Sequence, residues 1–204
     1  MRQMVFERKH TLVRRRQIVA AARKLIVKHG SEHVTVRRIA KEIGVSEGAI
    51  YRHFKSKREI LSLLVDEIEG ILMEDVEDYY TEKTDLNALD ILEHIIKSHV
   101  SSVEQRSGIS FQVIAEIISL GDKRLNKKMY DVIDEYTGRI KGILADGIRA
   151  GVIKHDIDLE ATATLFFGTI QGLVNLWALS NYRFNLEQKY APIFDILRKA
   201  ITKC

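Results

Sequence analysis

VTVRRIAKEIGVSEGAIYRHFKSK, residues 34–57, is the stretch that decides the fold. Val36, Ile39, Ala40 and Ile43 recur at i, i+3, i+4 and i+7, the apolar stripe of an amphipathic helix over 35–43. Gly44 stops it, because glycine takes the left-handed conformation that a helix end uses. Ser46 can cap a second helix over 46–54 by accepting a bond from a free backbone N–H. That helix turns Ile50 and Phe54 inward and Gly48, Ala49, Tyr51 and Arg52 outward. Ser56-Lys57-Arg58-Glu59 has the Ser-x-x-Glu form of a capping box and opens a third helix. A helix, a four-residue turn and a short helix with small, aromatic and basic side chains outside is the layout of a helix-turn-helix DNA reader.

Charge agrees with that layout. The 204-residue chain carries a net charge of +4, but unevenly. Residues 1–58 hold 16 Lys+Arg against 4 Asp+Glu, and the remainder holds 16 against 24. A basic head on an acidic body is the footprint of a polyanion-binding module. The hydrophobic fraction of 46% permits a sizeable core, and a single proline among many Leu, Ile and Ala points to an all-α protein. The one cysteine, Cys204, rules out an internal disulfide and suits a reducing cytoplasm. The N-terminal MRQMVFERKH lacks a signal-peptide core. No stretch reaches the ~18–20 unbroken apolar residues of a membrane span. The nearest, 161–179, is interrupted by Thr162, Thr164, Gln171 and Asn175 and reads as a buried or interface helix, so no membrane partner is expected.

Residues 1–10 show no periodicity and read as a frayed basic arm. A first helix spans 11–29, with Ile18, Ala22, Leu25 and Ile26 inward, Arg14, Arg15, Arg16, Arg23, Lys24 and Lys28 outward, and Gly30 as its stop. A long helix spans 57–80, and charge changes sign within it. The domain boundary is placed there, giving a DNA-binding domain over 1–58 and a helical effector-binding and dimerisation domain over 59–204. Further helices are expected at 86–103 (after Thr84-Asp85), 109–120, 122–150, 159–180 and 186–201. Pro192 either lies in the first turn of a last helix starting at Ala191 or kinks a longer one.

The segment TVRRIAKEIGVSEGAIYRHFKSKREIL closely resembles the DNA-binding domain of TetR/AcrR-type bacterial transcriptional regulators, in detail over about residues 11–65. The resemblance implies an all-helical homodimer of about nine helices per subunit. Three N-terminal helices bind double-stranded operator DNA, and the rest forms a cavity for a small-molecule effector and a four-helix dimer interface. It places the Thr35 hydroxyl near a phosphate, where a helix N-terminus also favours an anion. Tyr51, His53 and Lys57 match positions that contact the DNA backbone or its edge. Ser46 caps the reading helix, and base reading falls to Glu47, Gly48, Ala49 and Arg52, with Arg37 contributing. Arginine can bond guanine O6 and N7 together, Ala49 suits a thymine methyl, and Glu47 either accepts from cytosine or simply favours the helix N-terminus. The operator is expected to be palindromic, with half-sites about 34 Å or somewhat more apart.

In the body, Gly168 and Gly172 permit close helix approach. With Phe167, Trp177, Ile193, Ile196 and Leu197 they form the expected dimer face. Polar residues inside apolar stretches are the handle on an effector: His94, His99, Gln112, Glu116, Tyr136, Gln171 and Asn175. Each also reads, on its own, as a surface histidine, a satisfied core residue or a dimer-interface hydrogen bond. The effector is expected to be hydrophobic or amphipathic, and the regulator a repressor. The helix starting at Lys57 is the expected lever between reading head and body. No G-x-S-x-G, P-loop, dinucleotide fingerprint, H-E-x-x-H or paired-cysteine motif occurs, so no catalytic residue, cofactor or metal ligand is expected. The rival reading is a DNA-binding protein of the same fold with an architectural or cell-division role and no effector.

Overall fold

The computed structural model describes residues 2–29, 34–81 and 86–202, with backbone alone for 2–12, 75 and 77–81. The described residues form nine helices and no strand: α1 (Arg2–His29), α2 (Val36–Ile43), α3 (Glu47–Tyr51), α4 (Lys57–Thr81), α5 (Ala88–Gln105), α6 (Ile109–Leu120), α7 (Lys123–Arg149), α8 (Leu159–Leu179) and α9 (Leu186–Ile201). An isolated antiparallel bridge joins Ile153 to Thr202. Gly30, Thr84-Asp85 and Cys204 lie outside the described residues.

Bounds differ from expectation by more than a residue in α1, α3 and α5, the last lying two residues later than 86–103, and α9 settles an open alternative. α1 begins at Arg2 rather than Thr11. The segment before Thr11 has no periodic stripe, but it has no glycine or proline either and contains good helix formers. α3 ends at Tyr51, and Arg52 is its C-cap. The amides of His53 and Phe54 both turn back to the Ile50 carbonyl, at 2.8 and 3.0 Å, which closes the helix. α9 runs unbroken through Pro192, starting from a cap in which Asn185 accepts from the Gln188 amide at 2.7 Å. A start at Ala191 is therefore excluded.

The chain divides into two compact units, residues 1–68 with 112–129 and residues 69–111 with 130–204. The division falls inside α4, α6 and α7. In the first unit Ile18, Ala22 and Ile26 of α1, Ile39 of α2, Ile50, Phe54, and Ile60, Leu61 and Leu64 of α4 are all buried. Five residues are too few for α3 to be stable alone. A fully buried Ile or Phe contributes about 1.5–3 kcal/mol, against ~1 kcal/mol for a cap, so Ile50 and Phe54 hold this helix more than its own hydrogen bonds do.

In the second unit α9 packs on α5 and α8, with Tyr190 and Phe194 buried and the Phe166 and Phe194 rings 6.2 Å apart. By length and mean hydropathy α8 is apolar enough to cross a membrane, although, as expected, its apolar run is interrupted by polar residues. Its four interrupting residues are all uncharged. Within the subunit 33% of its apolar window is buried. The remainder presents Leu165, Leu176 and Leu179, which are 52%, 60% and 80% exposed.

Candidate nucleic-acid interface

The α2–turn–α3 unit is fixed by local bonds at three residues that the sequence announced. The Thr35 hydroxyl oxygen accepts from the Arg38 amide at 3.2 Å and caps α2. Gly44, at φ 71°, returns its amide to the Ala40 and Lys41 carbonyls. Ser46 Oγ accepts from the Ala49 amide at 3.2 Å and caps α3. The Thr35 cap uses only an oxygen lone pair, so the hydroxyl proton remains available to an anion. Glu59 accepts from the Lys55 amide at 2.9 Å, one residue before the position a capping box would use.

With Ile50 and Phe54 anchored, Arg37, Glu47, Gly48, Tyr51 and Arg52 are exposed, and Ala49 and His53 are half-buried. One surface thus carries a small N-terminal turn, a tyrosine and several cations. The chain just after α3 is held by a residue that sequence reading placed on the outer basic face. Arg15 Nη1 donates to the His53 carbonyl at 3.0 Å, and its guanidinium lies 4.5 Å from the centre of the Phe54 ring. Arg15 precedes Ile18 by three and Ala22 by seven, in phase with the buried stripe of α1, and that spacing was the signal for its inward role. Burial, followed by the charges of Arg14, Arg52 and Arg15, holds the His53 imidazole below its ordinary pKa.

At the start of α4, Lys57 is not left to solvent. Its ammonium donates to Glu116 of α6, whose side chain is 7% exposed. Beside it Arg58 pairs with Asp122, and Lys128 donates to the Ser62 carbonyl and hydroxyl at 3.0 and 2.8 Å and pairs with Asp66.

The other candidate effector residues scatter. His94 and Asn175 are exposed, and Gln112 and Gln171 are half-buried. Gln112 and Glu116 belong to the first compact unit, the remainder to the second. His99 and Tyr136, 3% and 1% exposed, come together with ring centres 5.6 Å apart, and Phe167 lies edge-on to Tyr136 at 6.2 Å. Burial pushes the His99 pKa down to about 4, so the imidazole is neutral near pH 7.

Of the candidate dimer residues, Gly168, Gly172 and Ile196 are exposed, and a Cβ added to either glycine meets nothing within 4 Å. Phe167 and Ile193 are half-buried. Trp177 and Leu197 are turned into the subunit, each one residue out of phase with the exposed stripe of its helix. Sequence reading missed Leu165, Leu176 and Leu179, although 165, 168, 172, 176 and 179 follow a helical spacing.

Among the described residues no group of acidic, His or Cys side chains could hold a metal. A family model described as bacterial regulatory proteins, tetR family, matches residues 18–64, and one described as YsiA-like protein, C-terminal region, matches 65–200. The chain is 29% identical over 185 residues to the fatty acid metabolism regulator protein of Bacillus subtilis (strain 168), covering 91% of this chain and 94% of that one. It is 24% identical over 190 residues to the nucleoid occlusion factor SlmA of Vibrio atlanticus (strain LGP32), covering 92% and 95%. The solved structure of the transcriptional regulator FadR from Bacillus subtilis in complex with stearoyl-CoA matches with a TM-score of 0.77 at 29% identity, over 89% of this chain and 96% of that one. The head match passes directly into a body match that spans more than half of the sequence, and the chain belongs to the TetR family of bacterial transcriptional regulators.

Proposed function

We infer that this regulator binds a palindromic operator as a homodimer in the cytoplasm, represses the adjoining genes, and is released by a long-chain acyl-CoA. The observation that carries the DNA half is the exposed face of α3, capped by Ser46, anchored by Ile50 and Phe54, and surrounded by the basic head. Thr35, Tyr51, His53 and Lys57 are assigned to the DNA backbone, and Glu47, Gly48, Ala49 and Arg52, with Arg37, to base edges. Their placement around the α2–α3 turn supports that division of labour. The exposed stripe of α8, with Ile196 of α9, supports association with a second copy. An apolar surface of this kind is otherwise costly in water.

The effector reading rests on the relative that regulates fatty acid metabolism and on the related structure holding stearoyl-CoA. A ligand that prefers the conformer poorly matched to the operator weakens DNA binding by its differential affinity. The test starts from an operator selected from a random duplex pool and a complex formed on it. Stearoyl-CoA is expected to release the DNA at micromolar concentration, while coenzyme A alone leaves it bound. Retention of the complex at saturating stearoyl-CoA would refute the effector assignment.

The likeness to SlmA keeps a second reading in view, a division-control role on the same fold. Many dispersed genomic sites would favour it, and one or a few promoter sites would favour the local repressor.

A further inference from the structure

We propose that Glu116 is an internal competitor of the DNA backbone for Lys57, so that operator affinity is set partly by a carboxylate that never touches DNA. This rests on the assignment of Lys57 to the backbone. The geometry is specific. Lys57 opens α4, where the helix dipole disfavours a cation. Its ammonium, on a side chain 26% exposed, is bonded to a Glu116 carboxylate on a side chain 7% exposed. Lys57 lies three and four residues before Ile60 and Leu61, and Glu116 three after Val113 and one before Ile117. All four of these neighbours are buried, so both charges sit on the apolar faces of their helices. An ionised carboxylate held there is costly without a partner. Lys57 therefore cannot swing to a phosphate without leaving Glu116 uncompensated.

Docking on DNA becomes an exchange of partners, carboxylate for phosphate, and most of what Lys57 gains from the phosphate it loses from Glu116. The neighbouring pairs, Arg58 with Asp122 and Lys128 with Ser62 and Asp66, keep the start of α4 beside residues 112–129 when the first pair opens. Glu116 is in this sense a positioning residue, acting through Lys57.

The experiment is a double-mutant cycle on full-length protein, with affinity measured for the selected operator and for a random duplex. Glu116→Gln keeps the shape and removes the charge. It is expected to tighten binding to both duplexes by on the order of tenfold, because a phosphate contact carries no sequence information. Lys57→Met is expected to cost little in the wild-type background and on the order of tenfold in the Glu116→Gln background. Glu116→Asp retains the charge on a shorter stem and is expected to fall between wild type and Glu116→Gln, and it serves if Glu116→Gln does not fold. Unchanged or weaker binding by Glu116→Gln, or a gain that persists in the double variant, overturns the proposal. In either case a wild type that still discriminates the operator leaves the DNA reading intact. Loss of all duplex binding in the wild type would instead defeat the reading itself.

Discussion

His53 sits against Arg14 and Arg15 of α1 and Arg52 of α3, and burial together with these three charges lowers its pKa. The imidazole is therefore neutral in the free protein near pH 7. A phosphate docked beside it would favour the charged form and raise the pKa in the complex. The sign follows by linkage. A group with a higher pKa when bound adds affinity that is complete below the free pKa and disappears as pH rises through the bound one. Operator affinity at constant salt is expected to fall as pH rises across the imidazole range, and His53→Gln is expected to flatten that profile. A wild-type profile no steeper than that of the variant would place His53 away from the phosphates. Residue roles of this kind were partly legible. The caps Thr35 and Ser46 follow from residue type and spacing. Arg15, Lys57 and Glu116 carried a quieter signal, since each falls in phase with a buried stripe, which a charged residue tolerates only with a partner. Which partner each found depends on helices far apart in the chain, and one sequence does not contain that information.

Helices α2, α4, α6, α7 and α8 were legible to within a residue, because apolar periodicity agrees with capping residues or glycine stops along them, whereas Pro192 left the start of α9 open. The start of α1 was not legible, because residues 1–10 show no apolar periodicity to read. Glycines divide in the same way. Gly168 and Gly172 attracted notice by their spacing, but the glycine that packs tightly is Gly147 of α7. A Cβ built there would lie 2.5 Å from Ile153 Cδ1 and 2.9 Å from Ala88 Cβ. The tip of Ile153 can rotate away, but Ala88 Cβ moves only with the start of α5. Gly138, on the same helix, has open space around the corresponding position. Gly138→Ala is expected to stabilise by about 0.5–1 kcal/mol through helix propensity. Gly147→Ala is expected to destabilise by about 1–2 kcal/mol, because overpacking outweighs the same gain. Thermal unfolding of the two variants decides the point, and a raised Tm for Gly147→Ala would deny the close approach.

Taken over the whole molecule, charge is divided unevenly along the sequence. The first 58 residues carry a net +12 and the rest a net −8. That division made the DNA-binding head readable before any contact was known. The effector site was far less readable, because polar residues that line a cavity and polar residues satisfied in a core are the same residue types at the same helical spacing. The seven candidates accordingly scatter, and only His99 and Tyr136 are brought ring to ring. The central claim is that the α3 surface reads sequence in duplex DNA. It is tested most directly by the affinity of the purified full-length protein for its selected duplex and for a scrambled duplex of equal length, at about 0.15 M salt. The account predicts a preference on the order of 10³ or more. Arg52→Ala should shrink that preference by about tenfold or more while leaving affinity for the scrambled duplex nearly unchanged. Equal affinity of the wild type for the two duplexes would contradict it.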